Sequence, residues 1–211
     1  MREIIIFGAG REGERFMCQH FQDLQISCFW DNRKTGEVLG YPIELPQAEK
    51  DCFIIIASKF YLEIRKQLMQ MGYREFSDFI PYQIFEKKMA IVYGNCHMSV
   101  IKAYLEGHKK FASEYGFYPF PMIQIWKDTK EDFNDVLKHC NLLLHQSVRK
   151  DNVYGEQYSS EYILCRLQKS CEVIAVPNLY GMPKYLFPQL ETTKWRSKGL
   201  FRPFLVDRNI R

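Results

Sequence analysis

The chain has 211 residues, 46% of them hydrophobic, with 29 basic and 25 acidic side chains and a formal net charge of +4. That length can bury one large core or two small ones, and the mild positive charge falls well short of the dense Lys/Arg stripes that bind nucleic acid by neutralising phosphates. No apolar run nears the roughly 20 residues that cross a bilayer, and seven cysteines without a C-x-x-C pair predict reduced thiols in a cytoplasmic protein, with neither a disulfide framework nor a metal site.

The run Glu3–Phe7 is short, apolar and bounded by glycine, which predicts a buried parallel strand. Gly8–Ala9–Gly10–Arg11–Glu12–Gly13 follows directly, and Phe16, Met17, His20 and Phe21 then keep helical spacing, so G-x-G-x-x-G stands between strand and helix. Glycines in that setting permit a tight turn and let a phosphate approach backbone N–H groups. A second strand, Ile26–Trp30, ends at Asp31, where a dinucleotide-binding domain places the carboxylate that holds a ribose. Gly8, Gly10, Gly13 and Asp31 are therefore candidate nucleotide- or nucleotide-sugar-binding residues. The competing reading is that the glycines serve packing and Asp31–Asn32 caps a turn. A third strand at Asp51–Ala57 and an amphipathic helix at Tyr61–Met71, stopped by Gly72, continue an alternating pattern that predicts a parallel α/β sheet.

The stretches IIIFGAGREGERF, CFWDN and FIIIAS resemble the small Rossmann-like domains at the N-terminus of nucleotide-sugar acetyltransferases. The resemblance implies a UDP-sugar or other nucleotide as ligand of this part of the chain, or, as in other such domains attached to sugar-modifying enzymes, no established ligand. A proline and a charge cluster, from Pro81 to Lys88, then mark a boundary near residue 87, after which the βαβ pattern restarts.

The restart is Ala90–Tyr93, then Gly94–Asn95–Cys96–His97, then a helix through Val100, Ile101, Tyr104 and Leu105 that stops near Gly107. Cys96 at a helix N-terminus has an environment that favours a thiolate, which makes it a candidate nucleophile. The plainer reading is a small buried apolar residue. Asn95 is a candidate amide donor to a developing oxyanion, the cap of the helix, or both. On a helix, His97 diverges from Cys96 by about 100°, so a base is sought elsewhere. The apolar run Leu142–Leu144 ends in His145 and Gln146, and parallel strands bring both to the carboxyl edge that holds Cys96.

His145 is thus a candidate general base or substrate contact, and Arg149 a candidate phosphate contact; a capped loop histidine and a solvated loop are the alternatives. Helices are expected over Lys127–His139, capped by Asp128 or Thr129, and over Glu156–Ser170. A strand is expected at Glu172–Val176, with Asn178 just beyond its carboxyl end. The aromatic residues Tyr115, Phe117, Tyr118, Phe120 and Trp126 read as core.

The motifs VYGNC, LLLHQSVR and IAVPNLYGMPKYLFPQ resemble the WcbI-type polysaccharide biosynthesis proteins associated with capsule synthesis. The resemblance implies an α/β domain that binds coenzyme A or acetyl-CoA and moves an acetyl group onto a capsular or surface-glycan sugar. It places the Cys96 turn in the site; taken with the residues read at the same carboxyl edge, Gly94, Asn95, His97, Gln146, Arg149 and Asn178 are the candidate cofactor contacts and Cys96, Asn95 and His145 the candidate catalytic residues. The chain departs from the family pattern at His97, where glutamine is common, and a further helical part is expected beyond Arg211.

The reading is therefore an α/β protein of two small parallel-sheet Rossmann-like domains in tandem, residues 1–86 and 87–211. The expected activity is acyl-CoA-dependent acetylation of a sugar, with a second copy or glycan-synthesis enzymes as further partners. Two alternatives stay open: a cysteine-dependent ester or thioester hydrolase, and a non-catalytic nucleotide-sugar-binding scaffold.

Overall fold

Strands form where the chain runs apolar without interruption, because a strand covered by helices on both faces has no solvent side to keep polar. The computed structural model describes residues 2–177. In it β1 (Glu3–Phe7), β2 (Ile26–Trp30) and β5 (Cys52–Ile56) are such runs, with Ile5, Ile6, Phe29, Ile54 and Ile55 buried at the centre. Together with β3 (Gly36–Val38), β4 (Tyr41–Glu44) and β6 (Phe79–Pro81) they make a six-stranded sheet in the order β3-β4-β2-β1-β5-β6. It is parallel except for the β3–β4 hairpin. Helices α1 (Arg11–His20) and α2 (Tyr61–Gln70) follow β1 and β5.

The second sheet is wholly parallel, in the order β10-β9-β7-β8, from β7 (Lys88–Tyr93), β8 (Tyr115–Phe117), β9 (Leu142–His145) and β10 (Glu172–Ala175). Helices α3 (His97–Gly107) and α4 (Lys109–Glu114) join β7 to β8; α5 (Ile123–Thr129) and α6 (Asn134–Lys138) precede β9; α7 (Ser160–Leu164) precedes β10. Two expected helices are broken. Lys130 takes a left-handed φ of 53° at the end of α5, and α6 begins after Phe133, its N-cap, with Asp132 Oδ1 accepting from the Asn134 N–H at 2.8 Å in the turn before it, so neither Asp128 nor Thr129 caps that helix. In the second, extended backbone at Ser159 interrupts the run, and its hydroxyl accepts from the Tyr162 N–H at 3.2 Å to start α7.

The change of sheet falls between Pro81 and Lys88, yet residues 1–176 form one compact unit that holds both sheets. The largest buried cluster joins Ile54 and Phe79 of the first to Tyr93 and Leu143 of the second, with Phe133 between α5 and α6. At the junction, a Cβ on Gly116 would lie 1.8 Å from the Gln83 carbonyl oxygen, so β8 rests directly on the connecting chain. Phe117, Tyr118, Phe120 and Trp126 are buried, as expected of core aromatics.

One charged side chain is sealed into this junction. Arg65 on α2, only 3% exposed, gives Nε to Glu75 Oε2 at 2.7 Å and Nη1 to Glu131 Oε2 at 2.9 Å, with the Phe133 ring 4.9 Å from its guanidinium. Glu75 Oε1 also accepts from the Tyr61 hydroxyl and, at 2.6 Å, from the Tyr118 hydroxyl. Burial pushes both tyrosines well above their usual range, which keeps them as neutral donors. Tyr61, Arg65 and Glu75 come from the first half, Tyr118, Glu131 and Phe133 from the second. Removing Arg65 leaves two carboxylates without their cation, so Arg65→Ala is expected to cost about 3–5 kcal/mol in urea unfolding. Single-tryptophan variants that keep Trp30 or Trp126 should unfold at the same midpoint; separate midpoints would show that the sheets melt independently.

Candidate functional site

The corner between β7 and α3 is built by a glycine that no other residue replaces cheaply. Gly94 is buried with φ +149°, and a Cβ there would stand 2.8 Å from Gln146 Oε1 and 2.9 Å from Met98 Cγ. The chain then folds back on itself through Asn95, whose Oδ1 accepts from the His97 N–H at 2.9 Å while its carbonyl accepts from the Met98 N–H at 3.0 Å. Asn95 thus caps α3, the second of its two expected roles. Cys96, the next residue, is exposed at the head of the helix. Among the described residues its N–H has no backbone acceptor.

Gln146 forms the floor of this corner. Its backbone N–H continues the sheet by donating to the Tyr93 carbonyl at 2.9 Å, and its Oε1 accepts from the Asn95 N–H at 3.1 Å. The side chain is only 3% exposed, and its Nε2 has no partner among the described residues. His145 reaches the same edge, with Tyr93 as its register partner, but on the other face. Successive residues of a strand point to opposite sides: Leu142 and Leu144 pack with Met98, and Leu143 with Tyr93 and Tyr158. His145 Nδ1 accordingly lies 3.3 Å from Ser160 Oγ and 3.2 Å from the Gln146 carbonyl oxygen, and Ser160 Oγ accepts from the Val148 N–H at 2.8 Å. The structure therefore brings Gly94, Asn95 and Gln146 together and ties His145 to the loop behind them. Arg149 is on the surface in an ion pair with Asp151 at 2.8 Å, and Asn178 lies outside the described residues.

The corner between β1 and α1 has the same plan and a different content. A Cβ on Gly8, where φ is +123°, would lie 2.5 Å from the Ala57 carbonyl oxygen, and one on Gly13 would lie 1.9 Å from the Gly8 carbonyl oxygen. Gly10 has ordinary backbone and open space around it. Both oxygens of Asp31 are engaged by the protein: Oδ2 accepts from the Ala9 N–H at 3.0 Å, Oδ1 from the N–H groups of Arg33 at 2.9 Å and Lys34 at 3.0 Å. Lys34 Nζ closes the ring by donating to the Ala9 carbonyl at 2.5 Å. Asp31 thus caps the turn, the competing reading of this residue.

A family model described as the polysaccharide biosynthesis enzyme WcbI matches residues 89–205, more than half of the chain. The chain belongs to the WcbI family of polysaccharide biosynthesis enzymes. A second model, described as C2185-like, N-terminal, matches residues 1–77. Among solved structures, a WcbI described as a novel polysaccharide biosynthesis enzyme, in its native form without a disulfide bond between coenzyme A and a cysteine, is 20% identical with a TM-score of 0.39. The match covers 43% of this chain and 30% of that one, less than a third of its length. No curated protein matches the chain.

The WcbI region begins within β7 and so contains the Gly94 corner, β9 and Gln146, whereas the Gly8 corner lies in the C2185-like region. Among the described residues no helix is long and apolar enough to cross a membrane, and no cluster of His, Cys, Asp and Glu could hold a metal ion. A cavity of about 380 Å³, lined by Trp126, Lys130, Glu131, Asp132, Asn134 and Tyr162 among others, includes none of the candidate site residues. Ser160 escaped sequence reasoning, because nothing in its position along the chain reveals that it meets His145 from a different element.

Burial opposes ionisation of Asp31, but the N–H groups of Arg33, Lys34 and Ala9 and the Lys34 charge outweigh it and hold the carboxyl below its ordinary value of 3.8. A lowered value means that the stabilisation is complete above that ordinary value and is lost as the pH falls through the folded one. Asp31→Asn should therefore lower Tm most at neutral pH, and the gap to wild type should close in strong acid. A gap that stays constant across that range contradicts the closed turn.

Proposed function

We propose that this WcbI-family protein is an acyl-CoA-dependent acetyltransferase that acts on a sugar in capsular or surface polysaccharide biosynthesis, with the Gly94–His97 corner as the coenzyme A site. The observation that carries the reading is the exposed Cys96 thiol at the head of α3, over a buried amide with a donor to spare, inside the region that defines the family. The description of the solved WcbI names coenzyme A beside a cysteine; the ligand is extended to this chain as part of the proposal.

The corner suits such a donor. Acetyl-CoA supplies the acetyl group as an activated thioester. The first turn of α3 favours negative charge, and Cys96 stands where a thioester sulfur or acyl carbon meets that turn. Asn95 holds the turn's shape through its bond to the His97 N–H, and His97 is counted with it among the proposed cofactor contacts. Arg149 offers its guanidinium to a phosphate; its exposed pair with Asp151 is of the kind worth about 0–1 kcal/mol and exchanges readily. His145, tied to Ser160 and the Gln146 carbonyl, acts as a positioning residue for the segment that carries Gln146. The first half then serves as a structural support, its glycine turn closed by Asp31 in place of a UDP-sugar.

Calorimetric titration of the whole chain with acetyl-CoA and, separately, with UDP-N-acetylglucosamine tests this. Acetyl-CoA should bind in the sub-millimolar range and UDP-N-acetylglucosamine should give no heat. Cys96→Ala should still bind acetyl-CoA but fail to pass the acetyl group to a sugar acceptor. No binding of acetyl-CoA to the wild-type chain overturns the reading.

A further inference from the structure

Gln146 carries a donor that the described part of the molecule leaves unused. Its orientation is not arbitrary: the Asn95 N–H needs an acceptor, so Oε1 must face it, and Nε2 is fixed as the other arm. Leaving a buried N–H unmade costs about 1–3 kcal/mol, and native interiors rarely tolerate it. Gly94 keeps the amide in place against the corner, since any side chain there would press on Oε1 at 2.8 Å and on the Gln146 Cβ at 3.1 Å. A rigid, nearly dry, neutral donor under the head of a helix is suited to one kind of partner. A phosphate brings a charge that a single neutral N–H cannot compensate once water is removed, whereas a carbonyl oxygen is neutral, compact and needs one donor.

Building on the proposed coenzyme A site, we infer that Gln146 Nε2 donates to the carbonyl oxygen of the acyl thioester and thereby makes the corner distinguish acyl-CoA from free coenzyme A. In the proposed site the helix terminus and Arg149 address parts common to both ligands, the phosphates and sulfur, whereas Cys96 is assigned to the transfer step and not to the carbonyl oxygen. Among the described residues Gln146 offers the buried donor for the acyl oxygen, and Asn95, by pinning Oε1, sets the direction of that donor.

The test is calorimetry with acetyl-CoA and with free coenzyme A on the wild-type chain and on two variants. Gln146→Glu keeps the acceptor for the Asn95 N–H and removes the donor; Gln146→Met removes both without adding charge. The wild type should prefer acetyl-CoA by about tenfold, the worth of one well-made hydrogen bond to a buried group, and both variants should lose that preference while free coenzyme A still binds them. Measurable binding of coenzyme A also certifies that a variant is folded, and matching circular dichroism melting curves do so independently. Equal affinity of the wild type for both ligands, or a preference that survives in both variants, overturns the inference and leaves the site standing; the partner of Nε2 is then water or the chain itself. If the wild type binds neither ligand, the coenzyme A site fails and this inference fails with it.

Discussion

Glu75 accepts from two tyrosine hydroxyls and an arginine that are drawn from both sheets, and the arrangement of the whole molecule depends on that convergence. A carboxylate so deeply enclosed is tolerable only if every lone pair is used and a cation stands beside it. Tyr61 and Arg65 reach it from α2, Tyr118 from the end of β8, and Glu131 takes the other side of the guanidinium. The Tyr118–Glu75 and Arg65–Glu131 contacts cross from one half to the other and are lost if the sheets move apart, so the two halves share one core although each has its own sheet and matches its own family model.

Within that frame the chain builds the same corner twice: a buried strand, a glycine at positive φ, and a helix behind it. The difference lies in what faces the turn. At the first corner Asp31 brings a carboxylate to the Ala9 N–H and to two N–H groups of its own loop. At the second, the facing strand ends in Gln146, whose amide satisfies one N–H of the turn and keeps a second arm. The same backbone plan therefore yields a closed staple in one half and a candidate ligand site in the other.

Much of this was legible in the sequence. The continuous apolar runs became β1, β2, β5, β7 and β9, and both glycine turns fell where strand gives way to helix. The β3–β4 hairpin left no such trace, because its short strands have no buried residue and carry no apolar run. The breaks at Lys130 and Ser159 were hidden beneath helical spacing that continues on either side of them. Arg65 looks like a surface residue until Glu75 and Glu131 are brought to it from distant parts of the chain. His145 and Gln146 were both expected at the site; strand alternation, which one apolar run cannot orient by itself, sends only Gln146 towards the turn.

The central claim is that the second corner takes a ligand and the first does not. Amide hydrogen exchange of the whole chain, with and without saturating acetyl-CoA, asks this directly at both corners in one experiment. Protection should appear at residues 94–99 and around Gln146, with residues 8–14 unchanged. Protection confined to residues 8–14, or a chain whose exchange is the same with and without the ligand, would contradict the account.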